Sequence, residues 1–286
     1  MIDRLCIVGV GLMGGSLALA LRREHHVGEI VGTSRNAANL ARAVELGVID
    51  RYELDPGKAA AGVDMVVLAV PLGALETVCR GLRGSLSPET ILTDVGSAKA
   101  WVVEAVDRAL GGIPDNFVPG HPIAGTEKSS VEAAFADLYY RHRVILTPLQ
   151  NTAVRALGEV REMWERTGAI VEETTVEHHD EVLAATSHLP HMLAFTLVDG
   201  LARLGDHEDV FRYAAGGFRD FTRIASSDPV MWRDICLGNR KALTRMIGYF
   251  REELDRVNAA IEAGDGQGLK DIFTRAKAAR DSFHIG

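Results

Sequence analysis

The hydrophobic pattern of the chain changes near residue 175. Before that point, short apolar runs alternate with stretches in which apolar residues recur at helical spacing. Such runs are typical of strands that a parallel sheet buries on both faces, with helices as the crossovers. The predicted strands are residues 5–10, 29–33, 64–70, 90–95, 117–118 and 144–147, and the first two predicted helices are residues 12–24 and 37–46. The pattern therefore predicts a doubly wound α/β domain.

After residues 169–171 the pattern predicts no further strand and becomes helical. Apolar residues recur three and four positions apart over residues 182–201 and again over residues 231–263. Asp228 is placed to cap the second series, and Pro229 fits the first helical position. The second part of the chain is therefore predicted to be all-α.

The change of pattern predicts an α/β domain with a mostly parallel sheet over residues 1–174 and a helical domain over residues 175–286. The helical segments carry apolar residues on more than one face. The first domain can cover one face, and a second copy of the chain can cover the other. We therefore predict a homodimer, with a monomeric helical bundle as the alternative.

Composition narrows the class of protein. The formal net charge of −8 argues against a broad surface for nucleic acid or for anionic membranes. The three cysteines, Cys6, Cys79 and Cys236, fit neither a disulfide framework nor the spacing of metal ligands. No signal peptide precedes the first predicted strand, and no apolar run reaches the ~18 residues of a membrane span. We expect a cytoplasmic protein without a metal.

The first turn after a predicted strand has the pattern GxGxxG, formed by Gly9, Gly11 and Gly14. A strand before it and a helix after it are the context in which this pattern indicates a dinucleotide site. The glycines permit a tight turn, let a pyrophosphate approach the backbone, and let helix and strand pack closely. Leu12 and Met13 lie at the helix N-terminus, where free N–H groups favour phosphate. The first domain is therefore predicted to be a Rossmann domain.

The end of the second predicted strand bears on the type of nicotinamide cofactor. An NAD enzyme commonly has an acidic residue there, which binds the ribose 2′-hydroxyl. This chain has Ser34 and Arg35 instead, which suit a 2′-phosphate, although Arg35 can equally be a solvated loop residue. The sequence leaves NAD and NADP open. Val70 and Pro71, at the end of another strand, are further candidates for cofactor binding.

Two segments that follow predicted strands combine residues suited to catalysis. They contain Ser97, in DVGSAK, and His121, in GHPIAGTEK. Ligands of an open parallel sheet bind beyond the carboxyl ends of its strands, so both side chains are expected to face the cofactor crevice. A histidine can accept a proton near neutral pH, and a hydroxyl can orient it. In the alternatives, Ser97 only caps a helix and His121 is a loop residue.

The helical part adds two candidate groups. Pro190, between His188 and His191, is expected to kink the helix. The neighbouring run His178, His179, Asp180 and Glu181 suggests zinc, but it lacks a typical ligand spacing and hydride transfer needs no metal, so we predict none. Further along, Arg219 and Arg223 are four residues apart and share one helix face. Their guanidinium groups are suited to binding a carboxylate; in the alternative, they only form a solvated basic face.

Taken in order, these motifs resemble the prephenate/arogenate dehydrogenase (TyrA) family. They are GVGLMGGS, DVGSAK, GHPIAGTEKS, SHLPH, GGFRDFTRIA and DPVMW, and the match runs from about residue 4 to residue 250. The resemblance implies a Rossmann domain joined to a helical dimerisation domain. It also implies that His121 is the catalytic base, that Ser97 supports it, and that Arg223 binds a substrate carboxylate. His191 and Glu127 match pocket residues, and Arg219, Asp220 and Trp232 match positions near the pocket or the subunit interface.

The implied reaction is the NAD(P)-dependent oxidative decarboxylation of prephenate or arogenate to 4-hydroxyphenylpyruvate or tyrosine. His191 suits a keto acid better than an added ammonium, which favours prephenate. The chain has no room for the chorismate mutase or ACT domains of some relatives, although tyrosine can still inhibit at the active site.

Two other functions fit parts of the sequence. A β-hydroxyacid dehydrogenase or imine reductase also joins GxGxMG to a helical domain, and Lys241 is the clearest candidate for the lysine of the former. A dinucleotide-sensing protein would bind cofactor without turnover. The combination of Ser97, His121 and Arg223 argues against a sensor, which needs no base.

Overall fold

A computed structural model of the chain describes residues 1–126, 128–204 and 211–282. It divides into two compact units, residues 1–240 and residues 241–286. The change from strand to helix lies between Glu173 and Val176. The predicted domain boundary at residue 174 therefore coincides with a change of secondary structure, whereas the compact units divide later. A division into two domains at residue 174 stays a prediction.

Six parallel strands form the main sheet of the first unit, in the order β3-β2-β1-β4-β5-β6. Their bounds are β1 Ile2–Val8, β2 Val27–Thr33, β3 Arg51–Glu53, β4 Met65–Leu68, β5 Ile91–Asp94 and β6 Phe117–Val118. Along β1, Leu5 and Ile7 belong to one hydrophobic core, and Cys6 and Val8 belong to a second. The sheet is therefore buried on both faces, as the continuous apolar runs predicted.

Helices cover both faces of this sheet. They are α1 Leu12–Arg23, α2 Ala37–Glu45, α3 Pro56–Ala60, α4 Leu72–Leu82, α5 Lys99–Leu110 and α6 Val154–Arg166. Buried residues such as Leu17 of α1, Leu40 of α2 and Val160 of α6 pack into the first core. Leu75 of α4 and Val102 of α5 pack into the second. The doubly wound α/β fold that the sequence predicted is confirmed.

A second, three-stranded sheet has the order β7-β8-β9, with β7 Gly120–Pro122, β8 Arg143–Leu146 and β9 Ile170–Glu173. β7 pairs antiparallel with β8, and β8 pairs parallel with β9. The pattern had assigned residues 144–147 to the parallel sheet, and that assignment was wrong. Only Pro119 separates β6 from β7, which is too short for the crossover that a parallel neighbour needs. The chain therefore starts a new sheet at Gly120.

The helical part of the first unit begins with α7 Val176–Leu183, a π-helical turn at Ala184–His188 and α8 Leu189–Ala202. Pro190 has no N–H for the carbonyl four residues earlier, and the wider turn accommodates that missing bond. At the position where the sequence predicted a kink, the structure therefore has a π-helical turn.

After α8, the unit continues with α9 Gly216–Thr222, a 3₁₀ turn at Arg223–Ser226 and α10 Pro229–Gly238. The Asp228 side chain accepts a hydrogen bond from the N–H of Met231 at 2.8 Å, which confirms the predicted cap. The single apolar series that follows forms two helices, because the chain breaks at Asn239, the C-cap residue of α10.

The next helix, α11 Arg240–Glu262, leads into the second unit and is followed by α12 Gly266–Ser282. Large apolar side chains of these helices are exposed, namely Ile247, Tyr249, Leu254, Ile261 and Phe273. Among the described residues, no helix is both long and apolar enough to cross a membrane.

Candidate active site

The GxGxxG turn lies at the carboxyl ends of β1 and β4. Gly9 has a φ of 101°, and a Cβ there would lie 2.3 Å from the Ala69 carbonyl oxygen, so only glycine fits. A Cβ on Gly14 would lie 2.3 Å from the Gly9 carbonyl oxygen, so this glycine lets α1 approach the turn. A Cβ on Gly11 would meet nothing within 4 Å. Space for a ligand therefore lies beside the middle glycine.

The N-terminus of α1 can hold a phosphate. Gly11 is the N-cap residue and supplies no side-chain hydrogen bond, and the first turn contains no acidic residue. The amides of this turn, which includes Leu12 and Met13, are therefore not capped by a side chain. Val70 and Pro71 follow β4 at the same edge of the sheet, with Val70 half-buried and Pro71 exposed. These residues fit a dinucleotide pyrophosphate.

The loop after β2 leaves the Arg35 side chain exposed. The hydroxyl of Ser34 accepts a hydrogen bond from the N–H of Asn36 at 3.2 Å. Asn36 in turn caps α2 by accepting from the N–H of Asn39 at 3.0 Å. No carboxylate occurs in residues 33–36, so the loop presents a hydroxyl and a guanidinium to the region beyond β2.

His121 is the middle residue of β7 and is half-buried. Its Nδ1 lies 2.9 Å from Nε2 of His179 on α7. Nδ1 of His179 lies 2.8 Å from Oδ1 of Asp180. The Asp180 carboxylate also accepts hydrogen bonds from the main-chain N–H groups of Lys99 at 2.8 Å and of Ala100 at 3.0 Å. A chain of hydrogen bonds thus runs from His121 to the N-terminus of α5.

This chain fixes the proton positions on both imidazoles. An ionised Asp180 only accepts, so a neutral His179 carries its proton on Nδ1 and accepts at Nε2. His121 must then donate from Nδ1, which leaves a lone pair on its own Nε2. The arrangement therefore holds His121 as a base with a defined accepting atom.

Burial lowers the pKa of His121 well below its usual value, and repulsion from the charge of Lys99, and from His179 or His188 if either is protonated, acts in the same direction. Burial also lowers the pKa of His179, although the hydrogen bond to Asp180 opposes that shift. Burial alone would raise the pKa of Asp180, but its hydrogen bonds from His179 and from the two amides hold that pKa below its usual value. Near neutral pH the site therefore contains two neutral imidazoles and a carboxylate.

Two buried N–H groups on the other side of the site lack acceptors among the described residues. Asn239 Nδ2 donates to the Asp180 carbonyl oxygen at 2.7 Å and to Nδ1 of His188 at 3.0 Å. The proton of His188 is therefore on Nε2, which is buried without a partner, as is Nε1 of Trp232. Burial lowers the pKa of His188 to about 4, which keeps the ring neutral. Buried donors without acceptors are costly, and a ligand oxygen would satisfy them.

His191 stacks on Trp232 with ring centroids 3.8 Å apart and an interplanar angle of 19°. Its Nδ1 lies 2.9 Å from the Ser187 carbonyl oxygen, so Nε2 remains for a ligand. Burial lowers the pKa of His191, the bond to Ser187 opposes this, and the positive charge of Arg223 lowers it further. The charge of Arg223 therefore acts on His191.

The other predicted site residues have more varied positions. Ser97 follows β5 and is half-buried, and no described residue hydrogen-bonds its hydroxyl, so its support of His121 stays a prediction. Its alternative role as a helix cap was wrong, because α5 starts at Lys99 with Ala98 as N-cap and no side-chain cap. Arg219 is exposed on α9. Glu127 lies outside the described residues.

His179 and Asp180 are functional candidates that the sequence analysis missed. Both are buried, whereas the adjacent His178 is exposed. In the sequence they belong to a run of consecutive histidine and acidic residues, which suggested a zinc site rather than a catalytic one. Their main partners, His121 and the amides at the start of α5, are about 60 to 80 residues away in the chain. Only the fold brings them together.

Comparisons with known proteins identify the family of the chain. A family model described as the prephenate dehydrogenase nucleotide-binding domain matches residues 17–173, and one for the prephenate dehydrogenase dimerization domain matches residues 175–275. The cyclohexadienyl dehydrogenase of Zymomonas mobilis is 36% identical over 96% of this chain and 94% of its own length. The prephenate dehydrogenase of Bacillus subtilis is 36% identical over 99% of this chain and 76% of its own length.

Solved structures extend the comparison to three dimensions. The crystal structure of a prephenate dehydrogenase from A. aeolicus, in complex with hydroxyphenyl propionate and NAD+, has a TM-score of 0.92 and 40% identity and covers 98% of each chain. An arogenate dehydrogenase from Synechocystis has a TM-score of 0.83 and 28% identity, and covers 97% of this chain and 99% of its own. With both family models matched and full-length relatives above 30% identity, the chain belongs to the prephenate dehydrogenase family.

Proposed function

We propose that this protein catalyses the NAD(P)-dependent oxidative decarboxylation of prephenate to 4-hydroxyphenylpyruvate, a step of tyrosine biosynthesis. The observation that carries the proposal is the state of His121, whose Nε2 lone pair is fixed by the hydrogen bonds through His179 to Asp180. A base of this kind serves a reaction in which a hydroxyl loses its proton while the carbon beside it loses hydride.

The nicotinamide, when bound, accepts the hydride from ring carbon 4 of the substrate. His121 Nε2 takes the proton of the hydroxyl on that carbon as the hydride leaves. The bond between the ring and its carboxylate then breaks, CO2 departs, and the electron pair completes the aromatic ring. The proton returns from His121 to the ring oxygen, because the product is a phenol. The reaction thus consumes no net proton, and aromatisation makes it strongly favourable.

His179 and Asp180 stabilise the protonated state of the base. When His121 gains a proton at Nε2, its Nδ1 proton can move toward His179 Nε2 over the 2.9 Å contact. The charge then lies beside the Asp180 carboxylate, which two amides at the start of α5 hold in place. The group that accepts the proton is therefore neutral before the step and has a fixed counter-charge during it.

The proposed substrate carries two carboxylates, and the site offers cationic and N–H groups to match. Arg223 would bind one carboxylate, and His191 would lie beside the side-chain keto acid. The unpartnered donors on His188 and Trp232 support an oxygen-rich ligand in this part of the unit. The unpartnered N–H groups of His188 and Trp232 can donate to a keto oxygen but not to an ammonium, so we propose prephenate rather than arogenate as the preferred substrate. Ser97, Arg219 and Glu127 remain proposed site residues on the family resemblance.

The cofactor would bind across Gly9, Gly11 and Gly14, with its pyrophosphate at the N-terminus of α1. We propose that NADP is accepted as well as NAD, because the loop after β2 has Ser34 and Arg35 and no carboxylate in residues 33–36 to repel a 2′-phosphate. Val70 and Pro71 would line the same cleft.

We propose a homodimer formed through the helical part of the chain. The exposed apolar side chains of α11 and α12 support this, because packing against a second copy would remove them from water. Sedimentation velocity tests it: a dimer mass is expected, and a monomer at all accessible concentrations would contradict it.

The reaction is tested by incubating the purified protein with each of prephenate and arogenate and each of NAD and NADP, following absorbance of the reduced nicotinamide. The expected result is turnover with prephenate, with the ring carboxylate recovered as CO2. Turnover of a simple 3-hydroxy acid but of neither cyclohexadienyl acid would reject the proposal. Cofactor binding without turnover of any acid would reject it in favour of a sensor.

A further inference from the structure

A lysine that the proposed reaction does not use lies beneath the active site. Lys99 is the first residue of α5, and its side chain is entirely buried. Its Nζ donates to Oδ2 of Asp94 at 2.6 Å and to the Gly120 carbonyl oxygen at 2.5 Å. The Asp94 side chain is also entirely buried. Because no part of either side chain reaches solvent, neither is available to bind a substrate carboxylate.

Lys99 contacts both ends of the hydrogen-bond chain that holds the proposed base. At one end it binds the carbonyl of Gly120, the residue directly before His121. At the other end its main-chain N–H donates to Oδ1 of Asp180 at 2.8 Å. Lys99 therefore hydrogen-bonds both the strand that carries His121 and the Asp180 carboxylate that orients it, and so fixes their relative positions.

The Asp94 carboxylate also holds the start of β7 in place. Its Oδ1 accepts a hydrogen bond from the N–H of Gly120 at 3.1 Å, and its Oδ2 accepts from the N–H of Gly96 at 2.6 Å. Gly120 is thus held through both its N–H and its carbonyl. A Cβ on Gly120 would lie 3.2 Å from the Asp94 carbonyl oxygen, so β7 also starts in close contact with the end of β5. The start of the strand that carries His121 has little freedom to move.

The buried ammonium also acts through its charge. The titratable groups around His121 are Lys99 on α5, His179 and Asp180 on α7, His188 in the π-helical turn, and Asp94 at the end of β5. Burial is the main cause that lowers the pKa of His121, and the charge of Lys99 acts in the same direction. Burial lowers the pKa of Lys99, while the charge of Asp94 and its hydrogen bond to Nζ oppose that shift and favour the ammonium.

We propose that Lys99 is a positioning residue of the active site: it fixes His121 against His179 through Gly120, and its buried positive charge keeps His121 neutral at the pH where the base must act. The proposal rests on the proposed role of His121 as base. It predicts that removal of the charge changes the pH at which His121 becomes protonated, which a purely structural lysine would not do.

The test uses two variants, because replacing Lys99 alone leaves the Asp94 carboxylate buried without a cation. Lys99→Met/Asp94→Asn removes both charges together. Lys99→Gln removes the positive charge and keeps an N–H donor for the Gly120 carbonyl. Lys58→Met, which removes a positive charge from an exposed position, is the control. Urea unfolding of each variant establishes that it folds.

The first readout is the NMR titration of His121 in protein with ¹³C-labelled histidine, without substrate, assigned by the missing signal of His121→Asn. Loss of a neighbouring cation favours the imidazolium, so the midpoint is expected to move upward by about one pH unit in Lys99→Gln. The rise should be smaller in Lys99→Met/Asp94→Asn, which also loses an anion. The second readout is the acid limb of kcat/KM, which reports the free enzyme and should move by the same amount. Lys58→Met should move neither.

An unchanged midpoint in a folded variant, with only a lower plateau of kcat, would overturn the proposal and leave Lys99 a structural role. Failure of both variants to fold would overturn it in the same way. The titration does not depend on which acid is turned over. An inactive wild-type protein with the predicted midpoint shift would therefore reject the proposed function while supporting the role of Lys99.

Discussion

Asp180→Asn tests whether the hydrogen bonds behind His121 define the base. The carboxylate of Asp180 accepts three hydrogen bonds, from His179 Nδ1 at 2.8 Å and from the amides of Lys99 at 2.8 Å and Ala100 at 3.0 Å. An asparagine has one accepting oxygen, so at least one of these donors would face an NH2 group. If that donor is His179, the proton moves to His179 Nε2, and His121 must then accept at Nδ1. Its own proton would move to Nε2, and the base would be lost.

The size of the effect follows from this inversion. Loss of the orienting carboxylate in a Ser-His-Asp triad costs about 10⁴-fold in kcat by the same inversion of tautomer. Here a second imidazole separates the carboxylate from the base, and the asparagine can also turn its oxygen toward His179. We therefore expect kcat to fall by about 10²–10⁴-fold, the range that a general base supplies. The affinity for cofactor should not change, because Asp180 lies outside the glycine-rich turn.

The assay compares kcat and cofactor affinity for the wild type, Asp180→Asn and Glu177→Gln. Glu177 is an exposed acid on the same helix, so its variant controls for loss of a negative charge. Asp180 has a folded-state pKa below its usual value, so its share of stability is present above that usual value and is lost as pH falls through the lowered one. Measurements near neutral pH avoid that loss. A wild-type kcat in a folded Asp180→Asn protein would refute the reasoning.

Three further results are expected. Burial lowers the pKa of His121, so the acid limb of kcat should have its midpoint below the usual histidine value of 6.5, with activity rising as the base loses its proton; a limb above that value would contradict the neutral base. Arg35→Ala should raise KM for NADP more than KM for NAD, by about tenfold if one charge-assisted bond is lost, and equal changes would remove the 2′-phosphate role. Arg223→Lys should raise KM for prephenate because a bidentate contact becomes single, measured against Arg233→Lys at an exposed position of α10 as the control.

The parts of the fold that depend on local sequence were predictable. Gly9 and Gly14 mark the first turn because a Cβ at either position would collide with backbone, and such constraints leave only glycine. Asp228 marks the start of α10 because its side chain bonds an amide three residues on. The apolar runs of β1 and β4 indicate strands because both faces of these strands are buried.

The parts that depend on distant partners were not predictable. The antiparallel pairing of β7 with β8 depends on the chain that lies between them, and a short apolar run contains no information about the sheet that it joins. The series after Asp228 gave no sign of the break at Asn239, whose amide bonds Asp180 and His188.

The same limit applied to the site. His121 was identified because its motif follows a strand, but its partner His179 is 58 residues away and looked like part of a metal cluster. Lys99 was visible in DVGSAK, yet its complete burial beside Asp94 could not be read from that motif. Charge and burial of a group depend on all the elements packed around it, which is why these roles required coordinates.

The central claim is that His121 takes the hydroxyl proton while hydride leaves the same carbon. A single-turnover measurement with His121→Asn, at saturating prephenate and cofactor, tests it most directly. The variant is expected to bind cofactor as the wild type does and to reduce nicotinamide about 10²–10⁴-fold more slowly at a pH where the wild-type base is neutral. Reduction at the wild-type rate by a folded variant would contradict the account.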